Sequence, residues 1–168
     1  MFDRTMIKQI KSYIKKNYVK EKPMVYSKQK MLKASFDRAC FYDVEESFLN
    51  INIEVKSTWQ EVVFSIIDEK EYKDPEVYKR ANLSKQTFSK IRCDNKYQPN
   101  KDTAIQMCIG LKLNIDDTLD LLAKAGYTLS NSIKRDLVVR YFIENEIYNV
   151  DEMNLVLDEF KLKLFPIN

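Results

Sequence analysis

The chain has 168 residues, of which 45% are hydrophobic and 32% are charged. This length suits one folded domain, or one domain with an extension, and the composition is too apolar for a disordered chain. The sequence has no histidine, two glycines and three cysteines. These counts exclude imidazole catalysis, His-type zinc sites, glycine-rich phosphate loops and a disulfide framework. We therefore expect a mostly helical, non-catalytic protein of the cytosol that uses no cofactor.

Positive charge is concentrated near the amino terminus. Residues 1–33 contain ten basic and two acidic residues, whereas residues 58–131 contain eleven of each. A basic arm beside a neutral body is one pattern of nucleic-acid-binding proteins, and it is also the pattern of an ordinary solvated helix face. The longest nearly apolar run, 62–67, is far shorter than a membrane span, so no membrane partner is expected.

The first part of the chain contains one clear helical pattern. Over residues 5–18 the apolar residues recur at helical spacing and the lysines lie largely elsewhere, which predicts an amphipathic helix. Pro23 follows it. Residues 48–55 alternate apolar and polar residues as a strand does, and we interpret them as an extended connector. We place the domain boundary after this segment, with a basic helix and connector over 1–57 and a helical domain over 58–168.

Local signals define the first helices of that domain. Thr58 with Glu61 three residues later predicts a capping box. Asp74 is predicted to cap a second helix, with Pro75 at its first position. Asn82 suits the tight turn that follows, because asparagine tolerates the left-handed backbone conformation.

The later elements follow the same pattern. Ser84 is predicted to cap a third helix that buries Phe88 and Ile91. Pro99 precedes a fourth helix, and Gly126 closes a fifth that Asn114 caps. Cys108 lies on an apolar face and is interpreted as a core residue. The domain is thus predicted to hold about seven helices, including segments near 101–111, 133–145 and 150–161.

Two short helices joined by a tight turn are typical of helix-turn-helix proteins. The stretch DPEVYKRANLSKQTFSKIRCDNKYQPNKDTAIQMCIGLKLNIDDTLDLL carries the resemblance, and residues 58–120 resemble the lambda-repressor-like (Xre-type) helix-turn-helix domain. The resemblance implies an all-α, lambda-repressor-like bundle, here with an amino-terminal basic amphipathic helix and additional carboxy-terminal helices.

A second resemblance covers residues 59–168. This part looks like a family of uncharacterised Gram-positive bacterial proteins, through FSKIR, Tyr97-x-Pro99-x-Lys101, Ala125-Gly126-Tyr127 and the run from Tyr141 to Asn145. It supports the same fold and implies no particular activity.

The Xre-type resemblance implies a site. In DNA-binding members of that family the first turns of the third helix read base edges in the major groove, where glutamine suits adenine and lysine suits guanine. The next loop approaches phosphate. The function implied is transcription regulation on double-stranded DNA, with these candidate DNA-binding residues: Ser84, Lys85, Gln86, Thr87, Ser89, Lys90, Arg92, Lys96, Tyr97 and Lys101.

Such domains usually bind as dimers. We expect a possible homodimer through the helices after Gly126 or through residues 48–55. The basic arm, residues 4–33, would contact phosphates or close that dimer.

Three features favour an alternative. Asp74 stands where the family often has a phosphate-binding glutamine, residues 58–131 carry no net charge, and the second resemblance is to an uncharacterised family. The alternative is a protein-interaction adaptor that keeps the helix-turn-helix scaffold without DNA binding. Its partner would be a bacterial or phage protein that contacts the aromatic-rich terminal helices.

Overall fold

The computed structural model describes residues 4–20, 57–94 and 96–167. Within these ranges the chain forms eight α-helices and no strand, so the all-α prediction is confirmed there. The extended connector predicted at 48–55 and the part of the basic arm beyond residue 20 lie outside the described residues. The helices are α1 (Arg4–Asn17), α2 (Trp59–Glu69), α3 (Asp74–Arg80), α4 (Lys85–Cys93), α5 (Lys101–Gly110), α6 (Ile115–Lys124), α7 (Lys134–Glu144) and α8 (Val150–Glu159).

Most helix starts are made by nearby side chains. Thr58 and Glu61 form the predicted capping box, and Ser84 and Asn114 accept the predicted cap bonds at α4 and α6. The predicted cap by Asp74 is wrong. Asp74 is the first residue of α3, and its carboxylate pairs with Arg92 instead of with the backbone of its own helix.

Six helices end in the same way. After each, one residue adopts a positive φ, and the next residue donates its N–H to a carbonyl five positions back, which is the Schellman arrangement. The predicted left-handed positions, Asn82 (φ 54°) and Gly126 (φ 79°), are confirmed. The other four, not anticipated from the sequence, are Glu71, Lys112, Glu146 and Lys161, and an apolar or aromatic residue follows each.

Helix α5 lies at the centre of the core. Every residue from Thr103 to Gly110 is buried, and Cys108 is among them, as predicted. Helix α3 packs closely on α5 at Gly110. A Cβ atom at this position would lie 2.8 Å from the Cβ of Ala81 and 2.9 Å from the carbonyl oxygen of Val77. The absence of a side chain at residue 110 therefore sets how closely α3 approaches.

Helix α1 is docked and belongs to the same compact unit as residues 57–168. Its apolar residues Ile7, Ile10 and Ile14 are buried, and its closest neighbour is α7. Tyr141 on α7 donates a hydrogen bond to Gln9 at 3.0 Å. The described part of the predicted basic arm is thus a packed helix with exposed lysines.

Side-chain amides of two helices hold the segment that follows α8. The amide of the buried Asn154 accepts from the Phe165 N–H at 2.8 Å and donates to its carbonyl at 3.1 Å. Gln106 donates to the Pro166 carbonyl at 3.1 Å. No helix in the described ranges has the length and apolar character needed to cross a membrane.

Candidate nucleic-acid interface

Helix α4 carries most of the candidate residues, and local contacts fix its start. The Ser84 hydroxyl accepts the Thr87 N–H at 3.1 Å and lies 2.9 Å from the Thr87 hydroxyl. Both hydroxyls are therefore occupied at the cap and half-buried. Phe88 and Ile91 are buried on the opposite side of the helix. Of the candidate residues, Ser84 and Thr87 thus serve first to start α4.

The remaining residues of the first two turns of α4 point outward. Lys85, Gln86, Ser89 and Lys90 are all exposed, and within the described residues none of their cations forms an ion pair. Because residues three, four and seven apart share a helix face, these four side chains form one continuous surface opposite Phe88. We call Lys85, Gln86, Ser89 and Lys90 the α4 surface.

The end of α4 depends on a distant residue. The amide of Gln60, in the first turn of α2, donates to the carbonyl of Ile91 and, at 2.7 Å, to the carbonyl of Asp94. These bonds provide partners for carbonyls that a helix end leaves without an intrahelical donor. Sequence reasoning missed Gln60, because its partner lies 31 residues further along the chain.

Arg92 lies on α4 but is engaged by two other helices. Its guanidinium is 2.5 Å from the carboxylate of Asp74 on α3. The guanidinium carbon lies 4.3 Å from the ring centroid of Phe64 on α2, a cation–π distance, and 5.8 Å from that of Phe88. The structure thus brings Arg92 beside the α4 surface with its charge already paired.

The candidate residues after α4 differ in their surroundings. Lys96 is exposed, and its backbone N–H donates to the Asp94 carboxylate at 3.0 Å. Tyr97 is half-buried and packs against the core. The Lys101 ammonium is 2.6 Å from the carboxylate of Asp136, which is 2% exposed and also accepts the Ser130 N–H at 2.9 Å. Lys101 is therefore committed to a partly buried ion pair between α5 and α7.

Other chemically distinctive groups lie away from α4. An open depression of about 390 Å³ between α1 and α7 is lined by Gln9, Ser12, Tyr13, Lys16, Tyr141 and Asn145. Burial raises the pKa of Tyr13 and of Tyr141, and the Tyr13 hydroxyl also donates to Glu144 at 2.7 Å. Both phenols therefore stay protonated at neutral pH.

The thiols differ in exposure. Cys93 on α4 is exposed, whereas Cys108 is buried, and burial raises the pKa of Cys108 to about 12. Within the described ranges no three Cys, Asp or Glu side chains are grouped so that they could hold a metal ion.

No protein-family model, no curated protein and no solved structure matches this chain. The support for a function therefore comes from the residues and contacts of α4 and its neighbours.

Proposed function

We propose that the protein is a non-catalytic DNA-binding regulator of transcription that reads the major groove of double-stranded DNA with α4. The observation that carries the proposal is the α4 surface. Lys85, Gln86 and Lys90 extend from one exposed face of a short helix whose other face is packed in the core. A helix presented in this way has the dimensions and the donors that the major groove accepts.

The chemistry of that face supports base reading. Gln86 offers a donor and an acceptor that match the major-groove edge of adenine, and Lys85 and Lys90 offer donors to guanine. A well-formed contact of this kind is worth about 1–3 kcal/mol of discrimination against the wrong base. In this proposal Lys96 adds a phosphate contact, while α3 and α4 are the helix-turn-helix pair.

The first test measures whether DNA binds at all. Fluorescence anisotropy with a random-sequence duplex, titrated at about 50 mM and about 200 mM salt, should show binding that weakens steeply with salt, because phosphate neutralisation releases counterions. Absence of binding at the lower salt concentration contradicts the proposal.

The second test addresses base reading. A preferred site selected from a random library is compared with the random duplex for the Lys85→Ala/Gln86→Ala variant. We expect a larger loss of affinity on the preferred site than on random DNA, whereas equal losses would exclude base reading by these residues. Lys124 is an exposed lysine on α6, so Lys124→Ala is the control for the charge lost in Lys85→Ala.

Cys93 provides a native reporter for the same helix. It is exposed and lies seven residues after Gln86, so both share a helix face. Saturating DNA should slow alkylation of Cys93 by iodoacetamide, as followed by peptide mass spectrometry. The buried Cys108 should stay unreacted with and without DNA, which checks that the protein remains folded.

One observation favours a second candidate, a protein-interaction adaptor. Two of the candidate cations, Arg92 and Lys101, are already paired with Asp74 and Asp136, which lowers the charge available to phosphates. An adaptor of this kind would form a stable complex with a bacterial or phage protein and would show no salt-dependent DNA binding. Affinity purification at physiological salt, followed by reconstitution of the captured complex from purified components, distinguishes it from the regulator.

A further inference from the structure

The Asp74–Arg92 pair lies at the edge of the α4 surface. Lys85, Ser89 and Arg92 are spaced four and three residues apart, so they follow one another along a single exposed face of α4. Arg92 is about 10 Å along the helix axis from Lys85, at 1.5 Å per residue. Any polyanion that contacts the α4 surface along its length therefore reaches the position of Arg92.

The ion pair contributes little to holding the fold together. The side chains of Arg92 and Asp74 are 43% and 39% exposed, and ion pairs so accessible to water stabilise proteins weakly. Asp74 caps no helix. The Arg92 guanidinium also rests on the Phe64 ring at 4.3 Å, so this contact would retain its orientation without the carboxylate.

The pair has a larger consequence for binding. Asp74 offsets the charge of Arg92 and occupies its Nη2 donor, at which a backbone phosphate could otherwise bind. Carboxylate and phosphate oxygens compete for the same planar set of donors on arginine. A phosphate can therefore bind Arg92 only by displacing Asp74 or by tolerating its negative charge.

We propose that Arg92 is a phosphate-contacting residue of the DNA interface and that Asp74 acts as its internal counter-ion, which limits sequence-independent affinity. This inference rests on the proposed function, because it concerns the same surface. The contact that Arg92 makes is with a backbone phosphate rather than with a base, and Asp74 is autoinhibitory. Binding by the native protein then depends more heavily on the base-edge contacts of Lys85, Gln86 and Lys90.

The test is a mutant cycle on DNA affinity. Wild type, Asp74→Asn, Arg92→Gln and the double variant are titrated with a random-sequence duplex between about 50 and 200 mM salt. We expect Asp74→Asn to bind severalfold more tightly, with a salt dependence steeper by about 0.9 in log–log slope, the value for one added phosphate contact. The gain should disappear in the Arg92→Gln background.

Two controls separate this effect from simpler ones. Asp120→Asn removes an equally negative, exposed carboxylate on α6, so it reports the effect of net charge alone. Asp74→Asn should also improve binding to a selected site by the same factor as binding to random DNA, because a phosphate contact carries no sequence information. Thermal melting checks folding, and Asp74→Ser provides a second neutral variant if Asn lowers the melting temperature.

The outcomes distinguish this inference from the proposed function. If wild type binds DNA and Asp74→Asn gains no more than Asp120→Asn, the counter-ion role is excluded and the regulator proposal stands. A gain that persists in the Arg92→Gln background excludes it too. If Asp74→Asn binds while wild type does not, the regulator proposal is overturned for the native protein, while the effect of Asp74 on Arg92 is supported. If neither protein binds at the lowest salt concentration, both proposals are overturned.

Discussion

Helix α4 ends differently from the other helices of the 57–167 region. The six helices α2, α3, α5, α6, α7 and α8 each close with backbone hydrogen bonds that span no more than five positions. Helix α4 instead runs into the extended residue Asp94, and its last carbonyls are bonded by Gln60 of α2. Helix α4, which carries the candidate site, thus ends without a local Schellman turn and relies on Gln60. Helix α5 also receives distant donors at its end, from Lys70 and Arg80, but has its own local bonds as well.

This difference has a physical meaning. A Schellman end forms as soon as its helix forms, since all its partners lie within the same few residues. The end of α4 forms only when α2 is docked, because Gln60 must be brought to it. The position of Arg92 depends on α2 and α3 in the same way, through Phe64 and Asp74.

The largest expected effect comes from crowding the support of α3. Gly110→Ala places a methyl group 2.8 Å from the Ala81 Cβ, and we expect it to lower the free energy of unfolding by about 1–3 kcal/mol. Since α3 leads directly into α4, DNA binding should weaken as well. Urea denaturation measures the first effect, and an unchanged midpoint would mean that α3 and α5 are not in close contact.

The next prediction concerns the long-range ion pair between Asp102 on α5 and Arg135 on α7. Burial raises its pKa, but hydrogen bonds from Arg135 and Lys163 outweigh this and hold the pKa below its usual range. The folded pKa is thus lower than the unfolded value of about 3.9. The stabilisation is present above that value and is lost as the pH falls through the folded pKa.

Denaturation midpoints measured from pH 7 to pH 2.5 should therefore fall less steeply with acid for Asp102→Asn than for wild type. Asp120→Asn, on an exposed face of α6, is the control for the loss of one carboxylate. Parallel curves for Asp102→Asn and wild type would contradict the ion-pair assignment.

Two reciprocal changes test the locally formed helix ends. Gly126→Ala puts a Cβ on a residue with φ 79°, and the added Cβ has no atom within 4 Å, so only backbone strain of about 1 kcal/mol is expected. Lys112→Gly relieves a positive φ of 50° and should stabilise by up to about 1 kcal/mol. Thermal denaturation should show shifts of opposite sign, and shifts of the same sign would contradict the left-handed assignments.

The start of α4 should respond as an ordinary cap does. Ser84→Ala removes the acceptor of the Thr87 N–H, and we expect a loss of about 1 kcal/mol in unfolding free energy. Ser65→Ala, in the middle of α2 and exposed, is the matched control and should be neutral or slightly stabilising. A loss no greater than that of the control would show that Ser84 does not cap the helix.

A similar effect is expected at the end of α4. Gln60→Ala removes the donor to the Ile91 and Asp94 carbonyls, with an expected cost of about 0.5–1.5 kcal/mol. Gln60→Glu should cost at least as much, because it keeps the shape but places a carboxylate oxygen against the two carbonyl oxygens. Hydrogen exchange of the backbone amides of Cys93 and Asp94 should become faster. Unchanged exchange there would mean that the end of α4 forms without support from α2.

The sequence predicted the helices of the described region to within about two residues, because their signals are local. The Thr58–Glu61 box and the caps at Ser84 and Asn114 each join atoms three residues apart. It also predicted the left-handed turns at Asn82 and Gly126, where the residue type itself is suited to positive φ. Those at Glu71, Lys112, Glu146 and Lys161 carried a weaker signal, an apolar residue immediately after the turn.

The sequence by itself determined that this chain is helical in the described region and that α4 presents Lys85, Gln86 and Lys90 to solvent, since helix periodicity and caps act over a few residues. Only the tertiary structure decided which candidate cations stay unpaired. Arg92 meets Asp74 across 18 residues and Lys101 meets Asp136 across 35. These partners are set by how α3 packs beside α4 and α5 beside α7. An ion pair depends on distance in space, and no short sequence pattern specifies that distance.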